Sequence, residues 1–177
     1  PISGYFDTTA SLIQLSLTFS MVGLAVGQLV IGPLSDKYGR KKTLMASLVL
    51  FCISTIGCLY ASDIYVFIFF RLLQGLSGAG GVVISKSIAT DLYEGRELTR
   101  FFSMLSSVQG IAPVCAPVLG GVLLEVTDWK GIFWILVLIG ILLIMALAFF
   151  KESLNNEQQH CGVFATFRNY IPVFQNA

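Results

Sequence analysis

The chain is 177 residues long, with 55% hydrophobic and only 12% charged residues, a formal net charge of +1 and a mean hydropathy of +0.81. A soluble domain carries about 25% charged residues, so this composition excludes an ordinary soluble protein and indicates that lipid surrounds much of the chain. The small net charge identifies no charged partner, and we expect no nucleic acid to bind.

Five long stretches of the chain lack Asp, Glu, Lys and Arg, except that Arg71 and Lys86 interrupt the third. An α-helix needs about 20 apolar residues to cross a hydrocarbon core of roughly 30 Å, and it pairs its own backbone polar groups, as lipid requires. The sequence therefore predicts an all-α membrane protein. Its five transmembrane helices are expected near residues 12–34, 43–61, 64–90, 101–124 and 131–150.

The basic residues alternate between the connections of these helices. One set of connections carries eight of them, Lys37, Arg40, Lys41, Lys42, Arg96, Arg100, Lys151 and Arg168, whereas the opposite set carries only Lys130. Because cytoplasmic loops are enriched in Lys and Arg, residues 35–42, 91–100 and 151–177 are predicted to be cytoplasmic. The amino terminus is then expected outside, with no signal-like segment before the first helix.

The loop after the first helix, residues 32–42, reads GPLSDKYGRKK. Gly32 and Pro33 are expected to end the first helix, and Gly39 permits a positive φ. The positive-inside rule explains the basic residues but not Asp36 at its fixed spacing from Gly39 and Arg40. At every specified position the loop resembles a signature of the major facilitator superfamily, G-x-L-[AS]-D-[RK]-x-G-R-[RK], between that family's second and third helices.

The resemblance implies a conformational latch made of Gly32, Asp36, Gly39, Arg40, Lys41 and Asp91. In the family, the Asp of this loop faces a helix end of the other half of the transporter. The Arg pairs with an acid at the cytoplasmic end of helix four, a place that Asp91 occupies here. Ion pairs at such a seam favour one of two rocking states.

The third helix carries Arg71, Gln74, Gly75 and Gly78 at a spacing that predicts one shared face. Arg71 is expected about 10 Å into the membrane, where a charge costs roughly 2.5–3.5 kcal/mol, so a cavity position is favoured over outward snorkelling. The segment resembles the family's R-x-x-Q-G signature, which implies that Arg71, Gln74 and Gly75 belong to proton coupling. Lys86, nearer the cytoplasmic end, is expected to snorkel to the interface.

The fourth helix contains two prolines four residues apart among small residues: Ala112, Pro113, Ala116, Pro117, Gly120 and Gly121. The prolines are expected to bend this helix, which membrane helices tolerate. The pattern resembles the family's antiporter motif, G-x-x-x-G-P-x-x-G-G, although Ala112 and Ala116 replace its first two glycines. It is also similar to the bicyclomycin and chloramphenicol resistance branch of the family.

No metal, cofactor or enzymatic site is expected. The four cysteines, Cys52, Cys58, Cys115 and Cys161, lack metal-ligand spacing, and His160 beside Cys161 is expected to be solvated. No nucleophile–base set or buried acid pair is present in the sequence pattern, so an enzyme is the least favoured class. The resemblance instead implies that a proton gradient supplies the energy.

All ten acids fall in loops or at helix ends. A proton-coupled exporter needs a group that titrates, and arginine does not, so we expect the proton carrier outside this chain. The resemblance aligns residues 1–150 with family helices two to six, and residues 151–177 with a truncated linker between the halves. Helix one and the carboxyl-terminal half are then required partners, besides lipid and a small-molecule substrate, and this polypeptide alone is not expected to transport.

Three functions are compatible with these observations. The favoured one is proton-driven export of drugs or amphipathic small molecules through the bacterial cytoplasmic membrane. The second is a major facilitator for a sugar or metabolite, against which the proline-rich fourth helix argues. The third is a truncated membrane fragment without a transport role.

Overall fold

Five helices make up the part of the chain that the computed structural model describes, residues 8–149. They are α1 (Ala10–Tyr38), α2 (Arg40–Tyr60), α3 (Ile64–Leu92), α4 (Gly95–Val126) and α5 (Trp129–Ala148). All five are long and apolar enough to cross a membrane, which confirms the predicted all-α membrane fold. The predicted linker 151–177, with His160 and Cys161, lies outside the described residues, as do residues 1–7.

The expectation that Gly32 and Pro33 end the first helix was wrong. Helix α1 continues through Pro33 to Tyr38. Proline removes one backbone donor, but hydroxyl side chains can bond carbonyls within membrane helices. Ser35 does so here, since its Oγ donates to the Gly32 carbonyl at 2.8 Å. The helix therefore extends into the predicted loop and carries Asp36 in its last turn.

A single residue, Gly39, joins α1 to α2. Its φ of 94° lies in the region that residues with a Cβ rarely adopt. The Gly39 amide donates to the Ser35 carbonyl at 3.0 Å, and the Thr43 amide donates to the Gly39 carbonyl at 3.2 Å. This tight reversal brings the end of α1 and the start of α2 side by side.

Helix α3 is the centre of the bundle and packs most extensively against α1 and then α2, while α2 also packs against α5. Glycines permit the closest approach. A Cβ on Gly23 of α1 would collide with the Leu72 backbone of α3, and one on Gly75 of α3 would collide with the Ser20 carbonyl of α1. Small residues of this kind allow membrane helices to pack backbone against backbone.

Two apolar clusters fill the two ends of the bundle. At the end where α2 turns into α3, Phe67 makes edge-to-face contacts with Trp129 and Phe133 of α5, with ring centroids 6.2 Å and 6.0 Å away. Toward the opposite end, Ile31, Ala79 and Ile84 form the second buried cluster. The first cluster joins α2, α3 and α5, and the second joins α1 to α3, with Leu44 of α2 packed against it.

Helix α4 differs from the other four because none of its residues is buried within the described part of the chain. It meets α3 and α5 over only a few residues. The helix is assigned without interruption through Pro113 and Pro117, and the predicted bend at these prolines stays a prediction. Its faces are therefore open to lipid or to further protein.

Candidate functional site

Arg40, the first residue of α2, forms the centre of a polar cluster where α1, α2 and α3 meet. Its Nη1 donates to Asp36 Oδ1 at 2.5 Å and to Ser35 Oγ at 2.7 Å, and its Nε donates to Asp91 Oδ2 at 3.0 Å. Asp36 belongs to the end of α1 and Asp91 to the end of α3. One guanidinium therefore ties three helix ends together.

The two carboxylates of this cluster differ in their access to water. The Arg40 and Asp91 side chains are 9% and 17% exposed, whereas the Asp36 side chain is 44% exposed. A charge removed from water is held mainly by its buried partner, since solvent screens the exposed one. Asp91 is therefore the inner anchor of Arg40, and Asp36 is the outer partner that the surroundings can reach.

The three consecutive basic residues at the start of α2 point in different directions, because successive residues of a helix are turned by about 100°. Arg40 reaches inward to the acids. Lys41 reaches the far end of α5, where its Nζ donates to the Ala148 carbonyl at 3.0 Å. Lys42 borders a groove between α1 and α2 and makes no hydrogen bond or ion pair with the described residues.

A second polar site lies within the membrane span of α3, around Arg71. The Arg71 Nη1 donates to Gln74 Oε1 at 2.7 Å, one turn along the helix. Its guanidinium carbon lies 5.9 Å from the ring centroid of Phe133 on α5, a cation–π arrangement. Arg71 therefore points between α3 and α5 rather than away from the bundle.

A chain of hydrogen bonds, each donating in the same direction, links Arg71 to α2. Arginine has donors only, so the Gln74 amide must present its oxygen to Arg71 and its nitrogen to the other side. That nitrogen, Nε2, donates to Thr55 Oγ1 of α2 at 2.9 Å, and the Thr55 hydroxyl donates to the Phe51 carbonyl at 2.6 Å. Gln74 and Thr55 are 5% and 0% exposed. The chain of donors therefore runs from Arg71 through two buried side chains into the backbone of α2.

One nitrogen of Arg71 lacks a partner. The Nε is buried and donates to no acceptor among residues 8–149. No carboxylate of that range pairs with Arg71. A buried donor without an acceptor costs about 1–3 kcal/mol. The arrangement is thus suited to an acceptor or anion supplied by something other than the described helices.

The predicted shared face of Arg71, Gln74, Gly75 and Gly78 is divided between two neighbouring helices. Gln74 is directed to Thr55 of α2, and Gly75 is placed against the Ser20 carbonyl of α1. A Cβ on Gly78 would meet nothing within 4 Å. The glycine of the R-x-x-Q-G segment therefore sets the distance between α1 and α3, while its glutamine sets the position of the guanidinium.

The structure does not bring the residues of the proline motif in α4 against another described helix. Ala112, Pro113, Ala116 and Pro117 are exposed, and a Cβ on Gly120 or Gly121 would meet nothing within 4 Å. These six positions form an open strip of small residues. Lys86 of α3 is also exposed, and its expected snorkelling stays a prediction.

Sequence reasoning missed Thr55, Ser35 and the pair Gly23 and Gly27. Ser35 lies inside the loop signature, but its hydrogen bond with Arg40 was not predicted. Thr55 belongs to no motif and is marked only as a polar residue in a largely apolar span. Gly23 and Gly27 have the small-xxx-small spacing of close helix pairs, and that spacing was a usable signal. Within residues 8–149, no group of three or more potential ligands could hold a metal ion.

Comparison with known proteins agrees with this architecture. The model of the Major Facilitator Superfamily matches residues 1–160. The protein named uncharacterized MFS-type transporter YdgK of Bacillus subtilis (strain 168) is 42% identical over 156 residues, which are 86% of this chain and 39% of that protein.

Two further relatives carry names that refer to resistance. The bicyclomycin resistance protein homolog of Haemophilus influenzae is 32% identical over 81% of this chain and 36% of that protein. Multidrug resistance protein MdtL of Escherichia coli is 33% identical over 83% of this chain and 38% of that protein. The chain thus spans less than two fifths of the length of these relatives.

Among solved structures, the human organic anion transporter MFSD10 (TETRAN) superimposes with a TM-score of 0.65. The sequences are 24% identical, and the match covers 84% of this chain and 34% of that transporter. At this identity the likeness concerns the fold alone. It agrees with the arrangement of α1 to α5 as one part of a larger helical bundle.

Proposed function

This chain belongs to the major facilitator superfamily, and we propose that the full-length protein is a proton-driven exporter of drugs or other amphipathic small molecules in a bacterial cytoplasmic membrane. The observation that carries the proposal is the buried guanidinium of Arg71, held in the span by Gln74 and Thr55 with its Nε unpartnered. The names of the relatives from Haemophilus and Escherichia support export as the direction and drugs as the substrate class.

Arg71 supplies a fixed positive charge to the transport pathway in this proposal. It does not titrate near neutral pH, so the proton is carried by a carboxylate contributed from outside the described helices, with the family's first helix as the expected source. When that carboxylate is ionised, Arg71 attracts it, and when it is protonated the attraction is lost. The difference between the two states favours a different conformation in each.

The Arg40 cluster is the proposed latch of the same cycle. Its pairs with Asp36 and Asp91 hold the cytoplasmic ends of α1, α2 and α3 together. The exposed face of Asp36 is available to a helix end of the other half, so this contact forms in one facing state and is released in the other. Asp91 retains Arg40 in both states because it is the inner partner.

The test uses the full-length protein in proteoliposomes with an acidic interior. Protons leaving the vesicle should drive a fluorescent cationic drug inward, and nigericin in potassium-balanced buffer should abolish the accumulation by collapsing the pH gradient. Arg71→Ala should reduce the driven uptake at least about tenfold, which corresponds to ~1.4 kcal/mol of lost coupling. Asp36→Asn should slow uptake and leave the amount of protein in the membrane unchanged.

Four results would contradict the proposal. Uptake that requires an acidic exterior would identify an importer that moves substrate with the proton. Uptake indifferent to nigericin would remove proton coupling. Uptake by Arg71→Ala at the wild-type rate would remove Arg71 from the mechanism, and unchanged transport by Asp36→Asn would remove the latch.

A further inference from the structure

An apolar groove of about 390 Å³ runs between α1 and α2 in the half of the bundle that holds the Arg40 cluster. Its walls are formed by Val30, Ile31 and Leu34 of α1 and by Ala46 and Leu50 of α2. Leu76 and Ser77 of α3 close its floor. The groove exists because α1 and α2 each pack mainly on α3 and contact one another much less.

The length of the groove matches one leaflet of a bilayer. It extends from Val30 to Tyr38 along α1 and from Leu50 back to Lys42 along α2, which is about 12 Å at 1.5 Å per residue. One leaflet contributes roughly 15 Å of hydrocarbon. An acyl chain of the leaflet on that side can therefore lie along the groove for most of its depth.

The serine and threonine side chains within the groove have no hydroxyl proton to offer to an occupant. Thr43, Ser47 and Ser77 line the groove, but each donates to a backbone carbonyl, of Leu34 at 3.5 Å, Thr43 at 2.9 Å and Gln74 at 2.9 Å respectively. The surface that lines the groove is therefore largely carbon. This surface suits a hydrocarbon chain rather than a polar ligand.

Positive charge marks one end of the groove. Lys42 borders it there and makes no ion pair with the described residues. The Lys37 ammonium lies 5.0 Å from the ring centroid of Tyr38, which also borders the groove. The acids of the neighbourhood, Asp36 and Asp91, are both engaged by Arg40. The cationic end is therefore complementary to an anion, and among residues 8–149 no carboxylate pairs with Lys37 or Lys42.

We propose that this groove binds one anionic phospholipid, with an acyl chain along α1 and α2 and the phosphate head group at Lys42. Cytoplasmic leaflets are anionic, and basic pockets between membrane helices bind such head groups. A tyrosine beside the lysines fits the aromatic belt at head-group depth. Of the three basic residues at the start of α2, Arg40 and Lys41 bind protein groups and Lys42 binds the lipid.

The experiment measures lipid retained by the full-length transporter in native mass spectrometry, after extraction from vesicles with equal amounts of phosphatidylcholine and phosphatidylglycerol of the same acyl chains. Wild type should retain one phosphatidylglycerol in preference to phosphatidylcholine. Lys42→Gln should weaken retention about fivefold, the effect of one lysine near an anionic surface. Lys86→Gln is the matched control, since Lys86 is also exposed and near the same membrane face, and it should retain lipid as wild type does.

A second variant, Ala46→Trp, fills the groove and should abolish the retained lipid of either head group. If this variant does not fold, Lys42→Gln still tests the proposal. The Lys42 side chain is exposed, so its replacement should leave the unfolding temperature unchanged. Equal retention of both lipids, or equal effects of Lys42→Gln and Lys86→Gln, would overturn the proposal. Absence of any retained lipid from wild type would do so as well, and would assign the groove to a helix of the other half.

Discussion

Gln74 Nε2 donates to Thr55 Oγ1 at 2.9 Å, and this hydrogen bond joins α3 to α2 behind the guanidinium of Arg71. The Thr55 hydroxyl proton is already used by the Phe51 carbonyl, so Thr55 can only accept from Gln74. This direction fixes the amide with its oxygen towards Arg71. A side chain that never touches Arg71 therefore determines which atom Arg71 meets.

Replacing Thr55 by valine should impair gradient-driven transport while the protein still folds. Valine keeps the shape of threonine but removes the acceptor, which leaves the Gln74 amide without a buried partner at a cost of about 1–3 kcal/mol. We expect the initial rate of drug uptake into acid-loaded proteoliposomes to fall about fivefold or more. Thr55→Ser retains the hydroxyl and should transport close to the wild-type rate. Equal rates for the two variants would show that the hydrogen bond has no role.

The two acids that bind Arg40 should differ in their contribution to stability. Asp91→Asn removes the less exposed of the two carboxylates that pair with a largely buried guanidinium, so we expect a loss of roughly 3 kcal/mol in the free energy of unfolding. Asp36→Asn removes a pair that water already screens, and its cost should stay below about 1 kcal/mol. Thermal unfolding of the purified full-length protein in detergent measures both.

A double-mutant cycle separates the Arg40–Asp91 pair from other effects of these substitutions. In the Asp91→Asn background, the further change Arg40→Gln should cost much less than it does in wild type. Equal destabilisation by Asp91→Asn and Asp36→Asn, or strict additivity in the cycle, would contradict the assignment of Asp91 as the inner anchor.

Adding one methyl group at Gly75 should destabilise the contact between α1 and α3. The new Cβ would collide with the Ser20 carbonyl, which is backbone and cannot rotate away. Overpacking of this kind costs about 1–3 kcal/mol, and we expect a lower unfolding temperature and less protein in the membrane. Gly78→Ala is the matched control on the same helix, because its Cβ meets nothing within 4 Å. The expectation fails if both alanine variants unfold at the same temperature.

The one-residue connection between α1 and α2 should not accept a Cβ either. Alanine at Gly39 would have to adopt a φ of 94°, at a cost of about 1–2 kcal/mol. Gly110→Ala, inside α4 with open space around it, should instead be neutral or stabilising by up to ~1 kcal/mol. The unfolding temperature should therefore fall for Gly39→Ala and stay the same or rise for Gly110→Ala. An equal change in both variants would show that the turn accepts a Cβ without strain.

The sequence was sufficient to predict the helices, because crossing a bilayer requires long apolar segments that few other structures contain. The ends were less predictable. Pro33 indicated a helix end, yet α1 continues to Tyr38, where Gly39 makes the reversal. A single proline therefore does not by itself mark the end of a membrane helix.

The site could be predicted only in part, because a motif gives the spacing of residues along the chain and not the contacts between helices. Spacing in the loop pointed to Asp36 and Arg40, the family resemblance implied Asp91, and the structure brings the three into one cluster. The partner of Gln74 depends instead on the register between α2 and α3, to which contacts such as that of Gly80 with Ser47 contribute. The register between the two helices cannot be read from the sequence pattern, and the role of Thr55 was therefore missed.

The glycine contact between α1 and α3 has a mechanical consequence. Helices that touch backbone to backbone slide past each other with difficulty, so we expect any tilt to move the pair together, with Asp36 and Asp91 at its ends. Arg71 lies 20 residues before Asp91, about 30 Å along the axis. A tilt of roughly 5° about the level of Arg71 would displace Asp91 by ~3 Å, the length of one hydrogen bond. Because Arg71 and Asp91 lie on one helix, their separation is fixed, and the contact at Gly75, close to that pivot, ties α1 to the same movement.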